Sequence, residues 1–222
     1  MNKIHIYFMP GMGASSRIFE KIDLPKDQFE FHYLEWLIPY SNETLSNYTT
    51  RIQEEIKHEN PVLIGVSFGG IIVQELAKKI STKKTIIISS VRSHTEFPKR
   101  MKWAQKLLLY KFFPTRWVNQ IETILKKHGN EKAKRRIDLY SNYMSIRDSS
   151  YLDWAFKNIL NWKEPHPNPN VIHIHGDKDE VFPIQYIKNA IVIKGGTHAM
   201  ILMRYRWFNK HLPTIISNKN YE

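Results

Sequence analysis

The chain contains no cysteine. That excludes disulfides, thiol nucleophiles and thiolate metal sites, but says little about compartment, for which the cytoplasm is the default expectation. No stretch approaches the ~20 consecutive apolar residues that a membrane-spanning helix needs. Internal repeats and low-complexity tracts are also absent. The opening MNKIHIYFMPGMG carries one lysine, a histidine inside its apolar part, and Pro10-Gly11 where an apolar segment would continue. It reads as a first strand, not as a secretion signal. Acidic residues are in deficit: 33 Lys and Arg stand against 21 Asp and Glu, a net charge of +12. The deficit is local. Between Arg92 and Arg147 fourteen basic residues meet four acidic ones, whereas the rest of the chain has nineteen against seventeen.

What is present argues for one folded domain. The chain has 222 residues, 42% of them hydrophobic and 13% aromatic, which suits a single sizeable core. Six short apolar runs predict strands at Ile4–Met9, Phe29–Leu34, Val62–Val66, Thr85–Ser90, Val171–His175 and Ala190–Ile193. Several are continuous Ile/Val runs, as expected where both faces of a sheet are covered. Helical spacing falls between them, over Thr44–His58, Gly70–Ile80 and Ser149–Trp162. A last helix follows His198, with Ile201, Tyr205, Phe208 and Leu212 spaced 4, 3 and 4. Strand alternating with helix predicts an α/β fold with a mostly parallel sheet. Arg92–Arg147 has no strand pattern and is too long for a simple connection, so it is expected to be a helical cap inserted after the fourth strand.

The most informative residues are Gly65-Val66-Ser67-Phe68-Gly69, which fit G-x-S-x-G between an expected strand and an expected helix. A serine there must turn sharply, exposing its hydroxyl on a strained backbone, and the flanking glycines relieve the crowding. The bland alternative is an ordinary glycine-rich loop. A serine nucleophile needs a base, and the base needs a carboxylate to orient it. Two later segments offer these: Val171-Ile-His-Ile-His-Gly-Asp-Lys-Asp179, a strand ending in Asp177 and Asp179, and Gly195-Gly-Thr-His198. Both fall at the C-terminal ends of their strands, the edge where Ser67 must also lie and where open parallel sheets bind ligands.

Over nearly its whole length the chain resembles the α/β-hydrolase family. The order Ser67, Asp179, His198 matches that family's nucleophile, acid and base, and Gly176-Asp177-Lys178-Asp179 reproduces the turn that carries the acid. The resemblance favours Asp179 as the acid and leaves Asp177 to cap the turn. It also implies an oxyanion hole built from the backbone N–H groups of Met12 and Phe68. Pro10-Gly11 stands where relatives have His-Gly; since the donors are backbone groups, the hole is expected to survive. Phe68 would open a helix whose dipole favours developing negative charge.

Two other patterns compete. His173-x-His175-x-Asp177 resembles the start of a metal-binding motif, but Lys178 breaks it and alternation puts both histidines on one strand face. Satisfied or partly buried histidines flanking the acid strand are expected, with no metal and no cofactor. The basic cap reads first as amphipathic helices with solvated cationic faces. The sharper alternative is that it attracts an anionic acyl substrate or an anionic lipid surface. Trp103, Phe112, Phe113 and Trp117 could wall an acyl pocket, although more of them must simply hold the cap in place. Nucleic acid is not an expected partner, because no recognised motif accompanies the sequence pI near 9.7. The expectation is thus a serine hydrolase of carboxylic esters or thioesters. Its rivals are an acyltransferase using the same three residues and a small-molecule binding protein of the same fold.

Overall fold

Strands that are apolar on both faces persist only between two helical layers. The computed structural model of the protein describes residues 3–107 and 142–218, and its strands are sandwiched in this way. Six strands, β1 (Ile4–Met9), β2 (Phe29–Tyr33), β3 (Val62–Val66), β4 (Lys84–Ile88), β5 (Val171–Gly176) and β6 (Ile191–Ile193), form one sheet in the order β2-β1-β3-β4-β5-β6. Every pairing is parallel. β3 is central and wholly buried. Its side chains alternate: Leu63 packs into one apolar layer with Phe68, Ile71 and Ile72. Val62 and Ile64 pack into the other with Phe208, Leu212 and Ile215.

The helices that cover these faces are α1 (Leu45–Gln53), α2 (Phe68–Ala77), α3 (Lys99–Lys106), α4 (Ser149–Asn161), α5 (Met200–Met203) and α6 (Tyr205–Ser217). None of the described helices is long and apolar enough to cross a membrane. The chain leaves β1 toward β2 on one side and returns to β3 on the other. The C-terminal ends of β1 and β3 therefore flank a topological switch point, where such sheets open a crevice.

Most element boundaries fall within a few residues of expectation, and the differences have local causes. β4 stops at Ile88 because Ser89 adopts φ 49°, which an extended strand cannot accommodate. α2 begins at Phe68, immediately after Ser67, without the extra loop residues expected before Gly70. The final helix is split at Arg204, whose φ of −115° and ψ of 22° leave the helical region.

The expected cap falls largely on residues 108–141, outside the described residues, so Phe112, Phe113 and Trp117 do as well. Its described flanks differ from a solvated basic face at one point. Arg92 is buried, with Glu96 beside it: the Arg92 backbone N–H donates to Glu96 Oε2 at 2.6 Å, and its guanidinium donates to the Lys188 carbonyl. Trp103, by contrast, is 60% exposed.

Candidate active site

Ser67 occupies the single residue between β3 and α2, with φ 54° and ψ −119°. Among non-glycine residues this is a costly conformation, tolerated only where the surroundings fix it. Here they do. The Ser67 N–H donates to the Ile88 carbonyl at 2.9 Å, and the Ser67 carbonyl accepts from Ser90 Oγ at 2.7 Å and from the Gly70 N–H at 2.9 Å. A Cβ on Gly65 would strike the Gly69 carbonyl, and one on Gly69 would strike the carbonyls of Met9 and Pro10. Glycine at both positions is therefore a packing requirement of the turn.

At the end of β5, Gly176 lies against Gly196 so closely that a Cβ on it would meet the Gly196 carbonyl. Asp177 Oδ1 accepts from the Gly195 N–H at 2.6 Å, and the Lys178 N–H donates to the Gly196 carbonyl at 2.8 Å. Asp177 thus braces the turn that delivers His198. Asp179 is the carboxylate that faces the imidazole: its Oδ2 and Oδ1 lie 2.9 and 3.1 Å from His198 Nδ1. His198 Nε2 lies 3.0 Å from Ser67 Oγ.

Protonation follows from the partners. An ionised carboxylate only accepts, so Nδ1 carries the proton and Nε2 is left to accept from the serine hydroxyl. Burial pushes the Asp179 carboxyl up. The His198 hydrogen bond and charge, the Phe182 N–H and nearby His175 pull it down by more, and it titrates below its ordinary value. The Val181 and Phe182 N–H groups donate to Asp179 Oδ1 at 2.8 and 2.9 Å.

The loop after β1 runs directly over this serine, and a Cβ on Gly11 would sit 3.5 Å from Ser67 Cβ. The Gly11 carbonyl accepts from Trp36 Nε1 at 2.8 Å and from the Ala14 N–H at 3.0 Å, and the Gly13 N–H donates to Tyr151 Oη at 3.1 Å. The Met12 N–H between them donates to none of the described residues. As the first residue of α2, Phe68 has no intrahelical acceptor for its own N–H. The Met12 and Phe68 N–H groups, the expected oxyanion donors, thus have no acceptor among the described residues.

No protein-family model matches the chain, and no curated protein does. Solved structures do. An esterase from Exiguobacterium antarcticum superposes with TM-score 0.66 at 15% identity, covering 98% of this chain and 93% of its own. A putative non-heme bromoperoxidase, BpoC from Mycobacterium tuberculosis H37Rv, gives 0.66 at 13% identity, with coverage of 98% and 94%. BioG from Haemophilus influenzae gives 0.55 at 13%, with 90% and 91%. The chain has the α/β-hydrolase fold. At these identities the likeness is one of architecture.

Within this α/β-hydrolase sheet several residues that hold the site carry no periodic pattern in the sequence. Trp36 sits in an irregular segment after β2, stacks on Phe68 with 5.1 Å between ring centroids, and touches Tyr151. Ser90, which clamps the Ser67 carbonyl, looks like any serine after a strand. His173 and His175 are both buried, but the expectation of satisfied histidines holds only for His175, because His173 Nδ1 has no hydrogen-bond partner among the described residues. His173 Nε2 lies 3.1 Å from His175 Nδ1, and His175 Nε2 donates to the Phe182 carbonyl at 2.8 Å. The pair braces the turn bearing Asp179. Burial is the largest influence on both imidazoles and holds them below the ordinary histidine range, so both are neutral near pH 7.

Proposed function

We propose that this chain is a serine hydrolase that cleaves a carboxylic ester or thioester through an acyl-enzyme. The observation that carries the reading is the hydrogen-bonded line from Asp179 through His198 to Ser67, in which the tautomer needed by a general base is imposed by the carboxylate. Ser67 Oγ attacks the acyl carbonyl as His198 Nε2 takes its proton, forming the C–O bond of a tetrahedral intermediate. The intermediate's oxygen receives the Met12 and Phe68 N–H groups, a pair whose individual loss typically costs ~3–4 kcal/mol of transition-state stabilisation. His198 then protonates the departing alcohol or thiol. Water deprotonated by the same imidazole releases the acid and regenerates Ser67. Asp179 orients His198 throughout and stabilises the imidazolium.

The described ends of the 92–147 insert support a covered site. Arg100 of α3 donates to the Glu180 and Val181 carbonyls beside the acid. On the return side Ser145 donates to the Gly13 carbonyl at 2.9 Å, and Ala14 pairs with Met144. The insert thus departs beside the acid turn and comes back beside the oxyanion loop. Eight of its fourteen basic residues belong to 108–141. An anionic acyl substrate is the partner we assign to that charge; catalytic efficiency on it falls steeply with added salt, and a flat response removes the assignment.

Fluorophosphonate labelling tests the central reading. Covalent modification of Ser67 is expected, lost in Ser67→Ala and much reduced in His198→Ala. An unlabelled, folded wild-type chain would instead favour a binding protein of this fold. Turnover of p-nitrophenyl esters of graded length, with and without a competing amine or alcohol, then separates hydrolysis from acyl transfer by product.

A further inference from the structure

At the opposite end of the sheet from Ser67, where β1 begins, three histidines converge. Strand alternation puts His5 and Tyr7 on one face of β1, and Glu30 and His32 on the same face of β2. The parallel register sets His5 beside Glu30 and Tyr7 beside His32. His58, in the connection from α1 to β3, closes over them. One ring nitrogen from each of His5, His32 and His58 lies within 4.8 Å of the other two. We infer that His5, His32 and His58, with Glu30 as fourth ligand, form a binding site for a divalent transition-metal ion of the zinc class, structural in role and separate from the active site.

Distances fit such an ion. Two imidazole nitrogens each ~2.0–2.1 Å from a shared zinc lie roughly 2.9 Å apart at a right angle and ~3.4 Å apart at the tetrahedral angle. His5 Nδ1 and His32 Nε2 are 3.0 Å apart, sharing a hydrogen bond that an ion between them would replace. Glu30 faces the same two atoms, with Oε2 3.9 Å from the first and Oε1 4.0 Å from the second. Its half-exposed side chain needs only a small swing to bring one oxygen onto the ion. His58 Nδ1 is bonded to Tyr7 Oη at 2.7 Å, and that oxygen also accepts from the Lys57 N–H at 2.9 Å. This leaves Nε2 as the His58 ligand atom, with Tyr7 as the outer partner that holds the ring in place and is able to accept from Nδ1–H once Nε2 binds the ion. The His58 ring stacks on His5 at 3.5 Å between centroids, so binding turns it out of the stack to aim its lone pair.

Chemistry agrees. Three imidazoles and one carboxylate suit zinc, nickel or copper far better than calcium or magnesium. Bound ligands must be neutral imidazoles. Without an ion, three imidazoles share a crowded patch in which any protonated ring repels the others. An ion would tie β1, β2 and the segment before β3 together.

The test is calorimetric titration of ZnCl2 into the full chain, produced without a histidine tag and stripped with EDTA, at pH 7.5. One equivalent is expected to bind with a dissociation constant at or below the micromolar range, with a rise in melting temperature that EDTA reverses. His32→Gln is expected to weaken binding at least tenfold, with His5→Gln as the second variant should the first not fold. The His198→Ala chain is expected to bind as the wild type does, which separates this site from the Asp179–His198 pair. Absence of binding, or binding indifferent to both histidine replacements, overturns the site. Neither result bears on Ser67 labelling.

Discussion

Trp36 Nε1 donates to the Gly11 carbonyl across 2.8 Å, and that contact fixes the direction of the next amide. The Gly11 carbonyl and the Met12 N–H belong to one planar trans peptide, so they point opposite ways. Pinning the oxygen against the indole turns the Met12 hydrogen the opposite way, as the proposed oxyanion hole requires. Trp36 is thus a positioning residue that acts through the peptide it holds.

Trp36→Phe keeps an aromatic ring on Phe68 and removes the donor, together with part of the indole's packing surface. One hydrogen bond of ~1–2 kcal/mol is at stake, equivalent to roughly 5–30-fold in rate. The expected loss is in kcat, with KM nearly unchanged, measured on a p-nitrophenyl ester. A change confined to KM would mean that Trp36 lines the substrate pocket instead.

Asp179→Asn leaves the shape of the turn but lets Nδ1 lose its obligatory proton, so activity should fall by about 10⁴-fold. In the wild type the Asp179 pKa is depressed. Its contribution to stability is present above the unfolded value of ~3.9 and is lost only as pH falls through the lower folded value. Acid denaturation of Asp179→Asn should accordingly lack the part of the wild-type transition below pH ~4.

Ser67→Gly should be inactive and more stable. The strained φ of 54° costs a side-chain-bearing residue on the order of 1–3 kcal/mol, partly offset by the looser unfolded chain that glycine gives. A net gain near 1 kcal/mol corresponds to ~2–4 °C in melting temperature for a chain of this size. A lower melting temperature would show that the turn is not strained at Ser67.

His173 and His175 are neutral when folded, with pKa values lowered chiefly by burial. Their folded values lie below the unfolded ~6.5, so the unfolded chain binds more protons as pH drops. Stability is therefore full above about pH 6.5 and declines as pH falls from there toward the folded values. Melting temperatures between pH 7.5 and 5.5 should show this, with a shallower decline in His173→Gln. His32 adds to the slope in both proteins because its pKa is lowered too.

The strands and most helices were legible because apolar runs and 3.6-residue spacing report which faces must be buried, and burial dominates folding. The turn around Ser67 was legible for a different reason: only glycine fits where Gly65 and Gly69 meet backbone oxygens. Asp177 and Asp179, two residues apart, could not be told apart by spacing. The fold decides between them, sending one to the Gly195 amide and the other to His198.

The sequence alone thus determined the local pieces: which segments are strand or helix, and which serine must sit on a tight turn. The tertiary structure decided every partnership across long separations, because contacts such as Ser67 with His198, 131 residues apart, leave no periodic trace along the chain. The same holds for Trp36 with Gly11 and for His5 with His32, whose nearness depends on sheet order and register. Those are set by how the two apolar layers close over the sheet, a property of the whole chain and of no single segment.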